Sequence, residues 1–137
     1  MTEPAPYLSP QPFPSDVRSA LEGTHVLLTG GGGFLGRYVH AALSHLGVHV
    51  LSPRRAELDL TQQQDIREYF DTHRPESVIH LAAECGGIGA NVAHPGRFLY
   101  ANALMGLMLL ENARRTGVEK TVIISTTCAY PQNAPIP

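Results

Sequence analysis

The chain has 137 residues, enough for one modest core, and its apolar content, 13 glycines, 11 prolines and moderate charge are those of a soluble globular domain or part of one. A formal net charge of −2, with cations scattered apart from Arg54-Arg55 and Arg114-Arg115, gives no basic field and argues against nucleic-acid binding. Two cysteines, Cys85 and Cys128, have neither metal-ligand spacing nor the pattern of a secreted disulfide framework, so a reducing cytoplasm and no metal are expected.

The opening MTEPAPYLSPQPFP lacks the charged start and apolar stretch of a signal peptide, and no apolar run reaches the roughly 20 residues that span a bilayer. Residues 1–22 read as a Pro-rich disordered extension ending in a short helix, Ser15 to Glu22, and no membrane partner is expected. His25 to Thr29 is a compact apolar run closed by glycines, as a buried parallel strand should be. From Phe34, Leu35, Val39, Leu43 and Leu46 recur at helical spacing, and Gly47 supplies a stop. Val48 to Ser52 gives the second strand, ended by Pro53. Thr61 is the expected N-cap of a helix over Gln62 to Arg74, with Ile66, Tyr69 and Phe70 facing inward. Ser77 to Leu81 is the third strand, and a Gly-rich loop from Cys85 to Asn91 leads to a long helix over Pro95 to Thr116. Lys120 to Ser125 is the fourth strand. Strands alternating with helices predict an α/β fold, the N-terminal portion of a Rossmann-type doubly wound parallel sheet over residues 23–137. Its ligand crevice should lie at the carboxyl ends of the strands.

The strongest local signal is Thr29-Gly-Gly-Gly-Gly-Phe-Leu-Gly36 between the first strand and its helix. Gly30, Gly33 and Gly36 have the spacing for a tight turn, close backbone approach to a pyrophosphate and close helix-to-strand packing. Gly31 also fits a G-x-G-x-x-G spacing, which leaves the register open. The N–H groups of Phe34, Leu35 and Gly36, at the start of the helix, would receive the cofactor's phosphates. Cofactor choice falls to the end of the second strand, where an acid holds a free ribose 2′-hydroxyl and an arginine holds a 2′-phosphate. Here stand Pro53-Arg54-Arg55 and no acid, so NADP is favoured over NAD. The alternative is that both arginines are solvated loop charges.

The glycine turn, Leu58-Asp-Leu60, His80-Leu-Ala-Ala83, Gly86-Gly-Ile-Gly-Ala-Asn91 and Ser125-Thr-Thr-Cys-Ala-Tyr-Pro131 occur in the order seen in extended short-chain dehydrogenase/reductases, the NAD-dependent epimerase/dehydratase family. The chain resembles that family over nearly all of its length after residue 23. Its Gly-Gly-Ile-Gly-Ala-Asn loop and Cys-Ala-Tyr-Pro ending are most similar to the GDP-L-fucose synthase group, and GDP-mannose 3,5-epimerases are similar too. The resemblance implies a nucleotide-sugar substrate, epimerised and reduced with NADPH. It implies that Asp59 faces the adenine amine, that Leu60, Ala82 and Ala83 pass beside the cofactor, and that Asn102 helps order the active-site water and lysine network. Residue by residue the bland readings are a turn cap for Asp59, close packing for the alanines and ordinary helix duty for Asn102.

The same resemblance makes Thr126 the hydroxyl that binds the substrate carbonyl, ahead of Tyr130, and Cys128 the thiol that exchanges protons with the sugar during epimerisation. A thiol suits that work because its ordinary pKa of about 8.5 is within reach of neutral pH. A buried inert cysteine is the alternative. The family's Tyr-x-x-x-Lys pair is missing, since no tyrosine has a lysine four residues on and Lys120 is the only lysine. The expectation is therefore a truncated domain, inactive alone, whose acid/base groups and substrate-binding part lie outside it. The histidines, His40, His45, His73 and His80 among them, are expected in scaffold or surface roles. A non-catalytic NADP-binding module is the competing reading. Finally, Phe98, Leu99, Leu104, Met105, Leu107, Met108, Leu109 and Leu110 spread around the long helix, so a second face needs a partner, either another copy or a later part of the same chain. A homodimer is expected, as in the family, with Met105 and Met108 at the contact.

Overall fold

The computed structural model describes residues 13–126, 131 and 133. Parallel strands β1 (His25–Thr29), β2 (His49–Leu51), β3 (Ser77–His80) and β4 (Lys120–Ile123) form a sheet in the order β2-β1-β3-β4. The helices are α1 (Ser15–Leu21), α2 (Phe34–His45), α3 (Gln63–His73), α4 (Ile88–Ala93) and α5 (Pro95–Thr116). The chain goes outward from β1 to the edge strand β2, then crosses back to β3 on the other side of β1. That reversal makes the gap beyond the carboxyl ends of β1 and β3 the switch point of the sheet.

The middle of β1, Val26-Leu-Leu28, is apolar without a break because both of its faces are covered. Leu27 points into one core with Val78 of β3, Ile66 and Phe70 of α3, and Met105, Leu109 and Ala113 of α5. Val26 points into the other with Leu43 of α2, Leu46 and Val48. Helices thus lie on both faces, as the doubly wound reading requires. Thr29 and His80 are register partners, so β1 and β3 finish level at the crevice.

Several expectations need correction. The strands are shorter than expected, β2 spanning His49–Leu51 and β4 stopping at Ile123. Part of the loop expected between Cys85 and Asn91 is helix α4, held at its start by Asn91, whose amide donates to Gly86 O at 2.8 Å and Gly87 O at 3.1 Å. Thr61 does not cap α3: the N-cap is Gln62, without a side-chain bond, and Thr61 donates to Asp59 instead. Met105 is not at an outer contact. It is buried beside Ala101, Leu109 and Ala113 on the α5 stripe that meets the sheet, and Met108 packs against the same core. The uncovered face of α5 carries Leu99, Leu107 and Leu110, 74%, 66% and 43% exposed. No helix among the described residues is long and apolar enough to cross a membrane.

Candidate functional site

A cavity of about 660 Å³ lies over the switch point, walled by the glycine turn, the segment after β2 and the segment after β3. Of the expected cofactor residues it brings together Gly30, Gly33, Arg54, Arg55, Asp59, Leu60, Ala82 and Ala83. Phe34, Leu35, Gly36, Asn102 and Thr126 are not among the lining residues. Cys128 and Tyr130 lie outside the described residues. Thr126 follows β4 at the same carboxyl end of the sheet and is exposed.

Gly30, Gly31 and Gly36 each leave no room for a side chain. Gly30 has φ of 72°, and a Cβ there would fall 2.7 Å from the Ala82 nitrogen, so this position needs both the left-handed conformation and the missing side chain. A Cβ on Gly36 would collide with the Gly30 carbonyl oxygen and stand 2.6 Å from Gly31 Cα, which is how α2 packs so closely on the turn. Gly33 is the α2 N-cap and has no side-chain oxygen to occupy the first turn. The N–H groups of Phe34, Leu35 and Gly36 have no partner within a regular helix and are suited to an anion. Above Gly32 there is open space. The cradle therefore suits a dinucleotide's diphosphate.

Beneath the cavity, buried Thr29 and His80 form a polar pair. The Ala82 N–H donates to Thr29 Oγ1 at 3.3 Å, which leaves the hydroxyl proton for His80 Nδ1 at 2.7 Å. Burial holds the imidazole below its ordinary pKa, and the neutral ring with its proton on Nε2 matches that donation. Asn102 clamps the next part of the loop: its Oδ1 accepts from the Glu84 N–H and its Nδ2 donates to the Glu84 carbonyl, both at 2.8 Å. The amide expected to order a water network is engaged with backbone in this structure.

At the far side of the cavity, Asp59 Oδ1 accepts from Thr61 Oγ1 at 2.7 Å and from the Thr61 N–H at 2.9 Å. Those two bonds, with a lesser contribution from Arg55, hold its carboxyl below the usual range. Asp59 thus caps a turn and lines the cavity at once. Arg55 stands 3.8 Å from Asp59 and is 80% exposed, so its guanidinium is loosely held. The Arg54 N–H donates to Glu57 Oε2 at 2.7 Å, fixing the loop that presents both arginines. Sequence reasoning missed Thr29, His40, Ser52 and Leu58, which also line the cavity. For His40 a signal was present: it lies one turn beyond Gly36 on the same helix face.

Residues 26–137 match the family model described as NAD dependent epimerase/dehydratase family. The chain belongs to that family. It is 35% identical over 108 residues to a GDP-L-colitose synthase of Yersinia pseudotuberculosis, covering 79% of this chain and 35% of that one. It is 33% identical over 117 residues to a GDP-L-fucose synthase of Sinorhizobium fredii, covering 85% of this chain and 37% of that one. A GDP-D-glycero-L-gluco-heptose synthase from Campylobacter jejuni, solved in the presence of NADPH, superposes with a TM-score of 0.77 at 30% identity, over 83% of this chain and 34% of that one. The chain spans about a third of the length of the curated relatives it matches.

Proposed function

We propose that this chain is the NADP-binding part of a nucleotide-sugar epimerase/reductase of the GDP-L-fucose synthase kind, which epimerises and reduces a GDP-4-keto-6-deoxy sugar. The observation that carries the reading is one cavity bounded by a glycine cradle on one side and by Arg54 and Arg55 on the other, where a 2′-phosphate would sit. The names of the relatives supply the sugar-nucleotide class. NADPH, when bound, supplies the hydride. Gly30, Gly33 and the first turn of α2 hold the diphosphate, Asp59 and Leu60 the adenine side, and Ala82 and Ala83 allow close passage of the dinucleotide. Thr126 donates its hydroxyl to the carbonyl oxygen on which negative charge develops. The Cys128 thiol moves a proton at the adjacent sugar carbon. The protein works as a homodimer through the uncovered face of α5.

The test is to incubate the whole protein with NADPH and GDP-4-keto-6-deoxymannose in deuterated water. Falling NADPH absorbance with deuterium entering the sugar is expected. Cys128→Ser should suppress deuterium entry and leave cofactor binding intact, while Thr126→Val should depress exchange and reduction together. Exchange without net NADPH consumption would replace the reading by an epimerase of the GDP-mannose 3,5-epimerase kind. NADPH binding with neither reaction would make the protein a cofactor-binding module, and normal deuterium entry in the Cys128 variant would make that thiol structural.

A further inference from the structure

His40 is a polar side chain of the cavity wall that the cofactor contacts above leave without a task. It stands on α2 one turn beyond Gly36, so the two share a helix face, and that face lies on the glycine turn. A side chain on Gly31 would collide with Ser52 Oγ, so the glycine turn lies directly against the end of β2. The His40 ring consequently lines the same space as Ser52, Arg54 and Arg55. The ring is half-buried, and its Nδ1 is 3.4 Å from Ser44 Oγ, at the long limit of a hydrogen bond. That contact binds it weakly to its own helix.

The charge of the opposite wall gives His40 its use. The segment Pro53-Arg-Arg-Ala-Glu-Leu-Asp-Leu60 carries two arginines and two acids, so its formal charges cancel. Both acids are engaged with the arginine-bearing loop, Asp59 with the Arg55 guanidinium at 3.8 Å and Glu57 with the Arg54 N–H at 2.7 Å. A phosphate entering there meets two donors and, close behind them, two carboxylates. A ring N–H from the facing helix adds a donor from outside that charge-balanced loop. We infer that His40 is a third phosphate-binding residue, reaching across from α2 to the 2′-phosphate held by Arg54 and Arg55, and that it sets the preference for NADP over NAD. This rests on the NADP reading above.

The experiment is calorimetric titration of the protein with 2′,5′-ADP and with 5′-AMP, which differ only in the phosphate concerned. The unaltered protein should prefer 2′,5′-ADP, and an Arg54→Ala/Arg55→Ala double variant should lose most of that preference. His40→Ala should weaken 2′,5′-ADP by about tenfold, equivalent to about 1.4 kcal/mol, with 5′-AMP unchanged. His40→Arg should restore the loss. His40→Gln, close in size, keeps a donor and guards against loosening of α2, and it should fall between Ala and the unaltered protein. Equal weakening of both ligands, or none in the Ala and Gln variants, would overturn the inference while leaving the NADP reading intact. Equal affinity of the unaltered protein for the two ligands would overturn the NADP reading itself, and this inference with it.

Discussion

Glycine substitutions divide the demands on the cofactor turn into backbone strain and steric exclusion, because the chain offers each alone and both together. Gly23 has φ of 76° and open space around it, so Gly23→Ala meets only the left-handed penalty, about 1–2 kcal/mol. Gly36 lies within α2, where alanine would gain about 1 kcal/mol in helix propensity. Against that, its Cβ meets the Gly30 carbonyl oxygen, which is fixed by the Gly33 N–H at 2.9 Å and cannot easily retreat. Overpacking of this kind costs about 3 kcal/mol at its upper end, so the clash wins and Gly36→Ala should lose about 2 kcal/mol. Gly30 has both faults, φ of 72° and backbone atoms of Leu81 and Ala82 within 2.9 Å of its Cβ, and Gly30→Ala should lose about 4–5 kcal/mol. Gly32→Ala, with nothing nearby, is the control. Urea titration followed by circular dichroism measures the order. With a slope of about 2 kcal/mol per molar, the Gly30 variant should unfold about 2 M earlier than the control. A Gly30→Ala midpoint no lower than that of Gly23→Ala would refute the steric reasoning, since strain alone would then account for both.

Two further outcomes follow from the buried pair and from α5. Burial lowers the His80 pKa from its ordinary 6.5, so as pH falls the unfolded chain takes up this proton first; stability should be complete above about pH 6.5 and decline below it until folded His80 titrates. His80→Asn should flatten that part of the urea-midpoint profile between pH 8 and 5, and parallel profiles would show that His80 contributes nothing to it. Light scattering of the whole protein should give the mass of two copies, reduced to one by Leu107→Asp with Leu110→Asp while melting stays cooperative. Met105→Asp, in the core, should instead abolish cooperative melting, and a monomeric mass for the unaltered protein would defeat the dimer.

Legibility in the sequence tracked how locally each feature is determined. The bounds of α5 were readable because Pro95 opens the helix and Gly117 closes it at φ of 78°, both signals carried by single residues. Strand β1 was readable because two covered faces demand an unbroken apolar run. Helix α4 was not, since its six residues are flanked by glycines and its first turn depends on the Asn91 amide reaching back to Gly86 and Gly87. Thr61 looked like a cap, but its N–H and its hydroxyl both donate to Asp59, two residues earlier. On α5 both the buried and the uncovered stripes are apolar, so periodicity could not say which one meets Ile66 and Phe70. The arginine pair and the glycine cradle were legible as motifs, and His40 was marked only by its spacing from Gly36, but Ser52 joins them only when β2 and α2 are brought together.

The polar residues under the cavity show why this switch point holds its shape. Beyond His80 the ladder continues one step, with the Leu81 N–H donating to the Thr29 carbonyl at 3.2 Å. The next N–H, on Ala82, donates to the Thr29 hydroxyl at 3.3 Å in place of a strand carbonyl. The hydroxyl accepts there through a lone pair and also meets His80 Nδ1 at 2.7 Å, where burial holds the imidazole below its ordinary pKa. Two residues on, Asn102 of α5 satisfies both backbone groups of Glu84. A segment leaving a sheet would ordinarily turn such groups to water, whereas here side chains from β1 and α5 hold it along the cavity wall. The Ala82 nitrogen is thereby fixed so near Gly30 that no side chain fits between them. The glycine at residue 30 and the buried Thr29-His80 pair are therefore one device. Loosening the pair should let Ala82 retreat and should make Gly30→Ala less costly than in the unaltered protein.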